Sequence, residues 1–172
     1  MKKKLLFMAI ALICSLSYSQ GDTCAAATTV SCGAGELDYN SYTTTGFTDT
    51  AGNSTNDVFF TITPASVETL NIELCATSTD RDTRIVVYSD CSLSTIVVEN
   101  DAGRAGCSFN ANVSFVADGV SSYIIMVEGG TQTAQGSTGS LKDGDFVMVV
   151  FCTPPPVIQI PVGCTAQSSG AV

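Results

Sequence analysis

Period-two alternation of apolar and polar residues constrains the fold of this chain more than any other feature. In Asp57-Val-Phe-Phe-Thr-Ile-Thr63, Val58, Phe60 and Ile62 fall on one face, and Phe59, Thr61 and Thr63 on the other. In Thr69-Leu-Asn-Ile-Glu-Leu-Cys75, Leu70, Ile72 and Leu74 point one way, Asn71 and Glu73 the opposite way. Such spacing suits a strand with one buried face and cannot form the stripe of an amphipathic helix. Asn110–Val116 and Tyr123–Glu128 repeat it, and Asp145–Cys152 reads as the last strong strand. Arg84–Tyr88 and Thr95–Glu99 are shorter and more uniformly apolar, and a weaker strand covers Leu37–Thr43. About eight short strands, Gly-rich turns and no helical stripe predict an all-β fold, a two-sheet antiparallel sandwich of jelly-roll type. The small, polar stretch Gly129–Ser140 reads as a connector before the last strand.

The N-terminus predicts export. Met1-Lys2-Lys3-Lys4 is followed by the apolar run Leu5–Ile13 and by Ser17-x-Ser19, the three parts of a secretory signal over residues 1–19. The run is shorter than the roughly 20 residues that span a bilayer, so no membrane span is expected. Ile13 is not the small residue that a lipid-anchored Cys14 would need, so Cys14 is expected to leave with the signal. Loss of Lys2, Lys3 and Lys4 leaves 4 basic residues (Arg81, Arg84, Arg104 and Lys142) against 16 acidic ones, a net charge of −12. That balance argues against nucleic-acid partners. The expected localisation is secreted or cell-surface. A sandwich over residues 20–152 is followed by a Pro-rich linker and incomplete tail, 153–172, in which Pro154, Pro155 and Pro156 stop the last strand.

Seven cysteines then remain. There is no CxxC pair and no histidine in the chain, so they read as disulfides rather than zinc ligands. Expected pairs are Cys24–Cys32, Cys91–Cys107 and Cys75–Cys152, leaving Cys164 unpaired.

Five motifs follow one another along the chain: Asp57-Val-Phe-Phe-Thr-Ile, Asp82-Thr-Arg-Ile-Val-Val-Tyr88, Asn100-Asp101, Tyr123-Ile-Ile-Met-Val and Gly144-Asp-Phe-Val-Met-Val. Their order resembles the bacterial pre-peptidase C-terminal (PPC) domain family, in its cysteine-containing secreted members. Phe59 stands where Trp is frequent, and the turn Glu99–Ala102 has fewer acids than the family often shows. The resemblance implies a non-catalytic β-sandwich accessory module. It also implies that some relatives bind calcium and some bind collagen or other polymers.

Catalysis by a Ser-His-Asp triad, a Cys-His pair or a HExxH zinc site is excluded because the chain has no histidine. Calcium is the one cofactor the residues suggest. It takes 6–8 oxygen ligands, and Asp80, Asp82, Asp90, Asn100 and Asp101 flank two central strands and could converge. Tyr39, Tyr42 and Phe59 are candidates for a binding surface, with Phe59 either covered by a loop or exposed. The leading expectation is an extracellular accessory or adhesion module that binds an extracellular polymer or cell-surface component. The alternatives are a structural subunit, a homo-oligomer assembling through Cys164 or the tail, and the accessory domain of a secreted hydrolase or peptidase.

Overall fold

A computed structural model describes residues 21–32, 40–52, 55–74, 82–101, 110–130 and 143–154. Nine strands run through them: β1 (Thr28–Thr29), β2 (Asn40–Thr43), β3 (Val58–Ile62), β4 (Val67–Glu73), β5 (Thr83–Tyr88), β6 (Ile96–Asn100), β7 (Asn112–Asp118), β8 (Tyr123–Gly129) and β9 (Asp145–Thr153). A 3-10 turn, Cys24–Ala26, precedes β1. No helix among the described residues is long and apolar enough to cross a membrane.

The strands form two sheets, in the orders β1-β3-β8-β5-β6 and β2-β9-β4-β7. Without β1, the orders 3-8-5-6 and 2-9-4-7 are the two interleaved Greek keys of a jelly roll. The predicted fold class is therefore correct, with one addition. β1 is a two-residue strand too short to see in the sequence, and it pairs parallel to β3.

The main core lies between the sheets. Phe60, Ile62, Ile85, Val87, Ile125 and Val127 from the five-stranded sheet meet Leu70, Ile72, Val113, Phe146 and Met148 from the other. Alternation sends these residues inward and sends Asn71, Glu73 and Ser114 out, as the sequence predicts. Tyr42 also points inward. Its ring lies 4.7 Å from that of Phe60 and 5.7 Å from that of Phe146. It is a packing residue rather than part of the expected binding surface, because β2 pairs Tyr42 with Phe146 on the core side.

The central strands β3, β5 and β8 are buried on both faces, which explains why they read as nearly continuous apolar runs. Phe59, Val86, Tyr88, Ile124 and Met126 form a second cluster on the outer face, covered by Cys24, Ala27 and Leu93. Phe59 is thus fully buried, and its assignment to a binding surface is overturned. The cover is the N-terminal segment. Phe59 N donates to Gly21 O at 2.7 Å. Gly21 has φ +94°, and a Cβ there would sit 3.0 Å from Val58 Cγ2, so only glycine brings the chain this close. Tyr39 lies outside the described residues.

Two disulfides are present, with Cα–Cα separations of 5.6 and 5.4 Å: Cys24–Cys91 fastens the N-terminal cover to the outer face of the five-stranded sheet, and Cys32–Cys152 ties the two sheets together. The expected pairs are wrong for all four of these cysteines. Cys24 packs on the outer cluster, beside Leu93 in the turn that carries Cys91. Cys32 and Cys152 instead pack against the inter-sheet core. Cys24 and Cys32 therefore lie on opposite faces of one sheet and cannot meet. Cys75, Cys107 and Cys164 lie outside the described residues.

Candidate functional site

One end of the sandwich gathers the polar side chains. The start of β3, the start of β5, the end of β6, the start of β7 and the end of β8 all meet there. The register fixes what faces what. β3 pairs Val58 with Val127, which sets Asp57 opposite Glu128. β8 pairs Glu128 with Arg84. β5 pairs Ile85 with Asn100, which sets Arg84 opposite Asp101. Directly opposed residues share a face, so a charged row crosses the outer face of the sheet.

Inside this row, Arg84 Nη1 donates to Glu128 Oε1 at 2.7 Å, and Nη2 donates to Glu99. Asp57 and Glu128 are both fully buried. Asp57 Oδ2 accepts from Thr50 N at 2.6 Å and from Ala51 N at 2.7 Å. No N–H or hydroxyl donor reaches Asp57 Oδ1. Burial first, then the hydrogen bond to Asp57, pushes the Glu128 carboxyl up to about 7, against the pull of Arg84. Burial also raises Asp57. Glu128 therefore holds a proton near neutral pH and supplies the donor that Asp57 Oδ1 otherwise lacks.

Asp82 lies next along the same face. Its carboxylate packs over Gly130, where a Cβ would come within 2.4 Å of Asp82 Cγ. Both of its carboxylate oxygens are buried and without a donor. Burial, and secondarily the charge of Asp101, pushes its carboxyl up to about 6, against the pull of the Thr83 N–H, which approaches it outside good hydrogen-bond geometry. Asn110 Oδ1 is likewise buried with no donor. It precedes Ala111, whose N–H donates to Thr83 Oγ1 at 2.9 Å.

The sequence-predicted calcium set does not come together as a whole. Asp82, Asn100 and Asp101 share one end of the β5–β6 hairpin. Asp90 sits in the turn at the other end, roughly 20 Å away at about 3.3 Å per strand residue, and there it caps Ser92 N at 2.7 Å. Asp80 lies outside the described residues. Among the described residues, the grouping Cys32, Glu68 and Cys152 is closed to metal, because its two sulfurs are bonded to each other.

A polar cleft opens beside this end, where the edge strand β6 approaches β4 and β7. Asn71, Glu73, Glu99, Asn100, Asn112 and Ser114 line it. Asn112 N donates to Asn100 Oδ1, which joins the two walls. Of these residues only Asn100 was legible as a candidate. Glu128 was missed too, although an acid closing the apolar run Tyr123–Val127 was its signal.

The raised carboxyls predict a pH dependence. Between about 4.5 and 7 the folded chain keeps a proton on Glu128 that the unfolded chain has lost, so stability falls as pH rises through that window. Asp82 acts in the same direction between 3.8 and about 6. Asp118 acts oppositely below 3.8, because its hydrogen bonds with Ser121 hold it down to about 2. Urea unfolding is expected to show maximal stability near pH 4, where the two opposing windows meet, and a loss on the order of 2–3 kcal/mol by about pH 8. A Glu128→Gln chain should lose most of that slope.

The described residues define a disulfide-bonded, all-β jelly roll with a polar cleft at one edge. No family model matches the chain, and no curated protein matches it. Among solved structures it is similar to the pre-peptidase C-terminal domain of a collagenase from Bacillus anthracis. The identity is 14% and the TM-score 0.46, over 72% of this chain and 93% of that chain. It is also similar to PliG of Aeromonas hydrophila, a periplasmic inhibitor of g-type lysozyme. Here the identity is 12% and the TM-score 0.43, over 73% of this chain and 96% of that one. Both scores lie below 0.5.

Proposed function

We propose that this chain is a non-catalytic binding module that works in an oxidising compartment outside the cytoplasm and holds a neutral, hydroxyl-rich polymer such as a polysaccharide. The polar cleft carries this reading. Amide side chains both donate and accept, as sugar hydroxyls do, and Asn71, Asn100, Asn112 and Ser114 concentrate such groups in one place. Two disulfides suit export. The strong negative charge disfavours polyphosphates and sulfated polymers. The carboxyl pair Asp57–Glu128 resembles an acid–base pair only in composition, since both groups are sealed from any substrate.

Calcium belongs to the proposal at Asp82 and Asp101. The two buried, donorless oxygens of Asp82 fit a hard cation, whereas Asp90 is too far away to contribute.

Retention on a panel of insoluble polysaccharides tests the binding reading. One member should retain the chain, and Asn112→Ala or Asn71→Ala should weaken binding by about tenfold, the loss of one or two hydrogen bonds. No retention on any neutral polymer, or retention that ignores both substitutions, would count against it. In parallel, calorimetric titration with calcium should give heat that Asp82→Asn abolishes.

A further inference from the structure

We infer that Asp57 and Glu128 share a single proton that latches segment 48–52 onto the end of the sandwich, and that removing this proton releases the segment. The inference stands apart from the cleft and from any ligand.

The geometry leaves little choice about the proton. Register sets Asp57, just before β3, against Glu128 on β8, and both side chains have no exposure to water. Two ionised carboxylates at this depth would repel each other, with each also stripped of hydration. The cations facing them do not suffice. Among the described residues Arg84 is the single base of the row, and it already divides its guanidinium between Glu128 and Glu99. Among the described residues, the other charged or titratable groups around the pair and the segment are acidic or phenolic: Asp49 from the segment itself, Asp22 on Thr48, Asp143 on Asn56, Asp82 just before β5, Tyr88 at its end, and Asp101 just after β6. Asp57 Oδ1 has no N–H or hydroxyl donor. A proton on Glu128 satisfies that oxygen and halves the buried charge at once.

Asp22 Oδ1 holds the start of the segment, accepting from Thr48 N at 2.7 Å, and the middle is fastened by Asp57. Its other oxygen takes the N–H groups of Thr50 and Ala51, and its own N–H donates to Thr48 O at 3.0 Å. Asp49 caps Gly52 N at 2.6 Å, so the turn is held as one piece with Asp57 as its anchor. When Glu128 ionises, repulsion acts on Asp57, and the anchor is the part of the pair free to move. Glu128 sits mid-sheet, hydrogen-bonded to Arg84, while Asp57 stands just before β3 begins.

Native-state amide exchange followed by NMR tests the latch. After correction for intrinsic exchange, protection at Thr50 and Ala51 should fall at least about tenfold between about pH 6 and about pH 8.5. Ile85 and Val87 in the core should change far less. In Glu128→Gln the amide group still donates to Asp57 Oδ1 but has no proton to lose, so protection should stay flat. Three outcomes would overturn the inference: flat protection in the native chain, an equal fall in Glu128→Gln, or an equal fall at Ile85 and Val87. Carbon-detected titration of Glu128 in the unsubstituted chain is independent of how the variant folds. Its carboxyl should titrate near neutrality, and a midpoint in the ordinary carboxylate range would sink the latch.

Discussion

Replacing Cys32 and Cys152 by serine is expected to lower the unfolding free energy by about 4–5 kcal/mol, the largest effect of any change considered. The two cysteines are 120 residues apart in sequence. In the chain-entropy account, a bridge of that span removes more freedom from the unfolded chain than the roughly 15-residue loops of small proteins do. The bridge also joins the segment after β1, at the edge of one sheet, to the end of β9, an inner strand of the other, so its loss unties the two sheets from each other. Urea unfolding of the double Cys32→Ser, Cys152→Ser chain, with Cys24–Cys91 intact, gives the measurement. A loss under about 1 kcal/mol would mean that the unfolded state is already restricted in some other way.

Phe60→Ala is the second large effect, expected to cost about 3–5 kcal/mol. Phe60 is fully buried at the centre of the inter-sheet core. Its ring meets Tyr42 edge-on at 4.7 Å and Phe146 edge-on at 6.3 Å. Truncation removes apolar area and two aromatic contacts, and it leaves a cavity that strands on rigid sheets cannot close. Phe59→Ala makes a useful comparison. Phe59 belongs to the smaller outer cluster, under a segment that can settle, so its cost should be lower than that of Phe60. Equal costs would show that the N-terminal cover is as rigid as the opposing sheet.

These two residues also show what the sequence makes legible. Phe60 reads correctly as core because Val58, Phe60 and Ile62 recur at every second position, and the inter-sheet face follows from that spacing alone. Phe59 does not. Its neighbours on the outer face, Val86, Ile124 and Met126, come together through the strand order β3-β8-β5, and nothing in local spacing announces a distant segment folding over them. The same limit explains the cysteines. Six cysteines permit 15 pairings, and proximity in sequence favours short loops such as Cys24–Cys32. The sheet between those two residues forbids that pairing. At the candidate site, Asp82 and Asp101 were visible as acids flanking apolar strands. Asp90 looks equivalent to them in sequence because a hairpin folds the chain back, and only the register shows which acids fall at the open end. Asp57–Glu128 was invisible for a related reason: each acid looks like an ordinary strand terminus until pairing puts them face to face.

The bridge between Cys32 and Cys152 has a mechanical consequence. Its Cα atoms lie 5.4 Å apart, whereas the 120-residue separation between them could be drawn out to roughly 400 Å. Tension applied to the chain on either side of the sandwich would pass through one sulfur–sulfur bond and bypass the strands between. Pulled at its ends, an oxidised molecule would therefore behave as a short inextensible link, and a reduced one as a spring with a long reach.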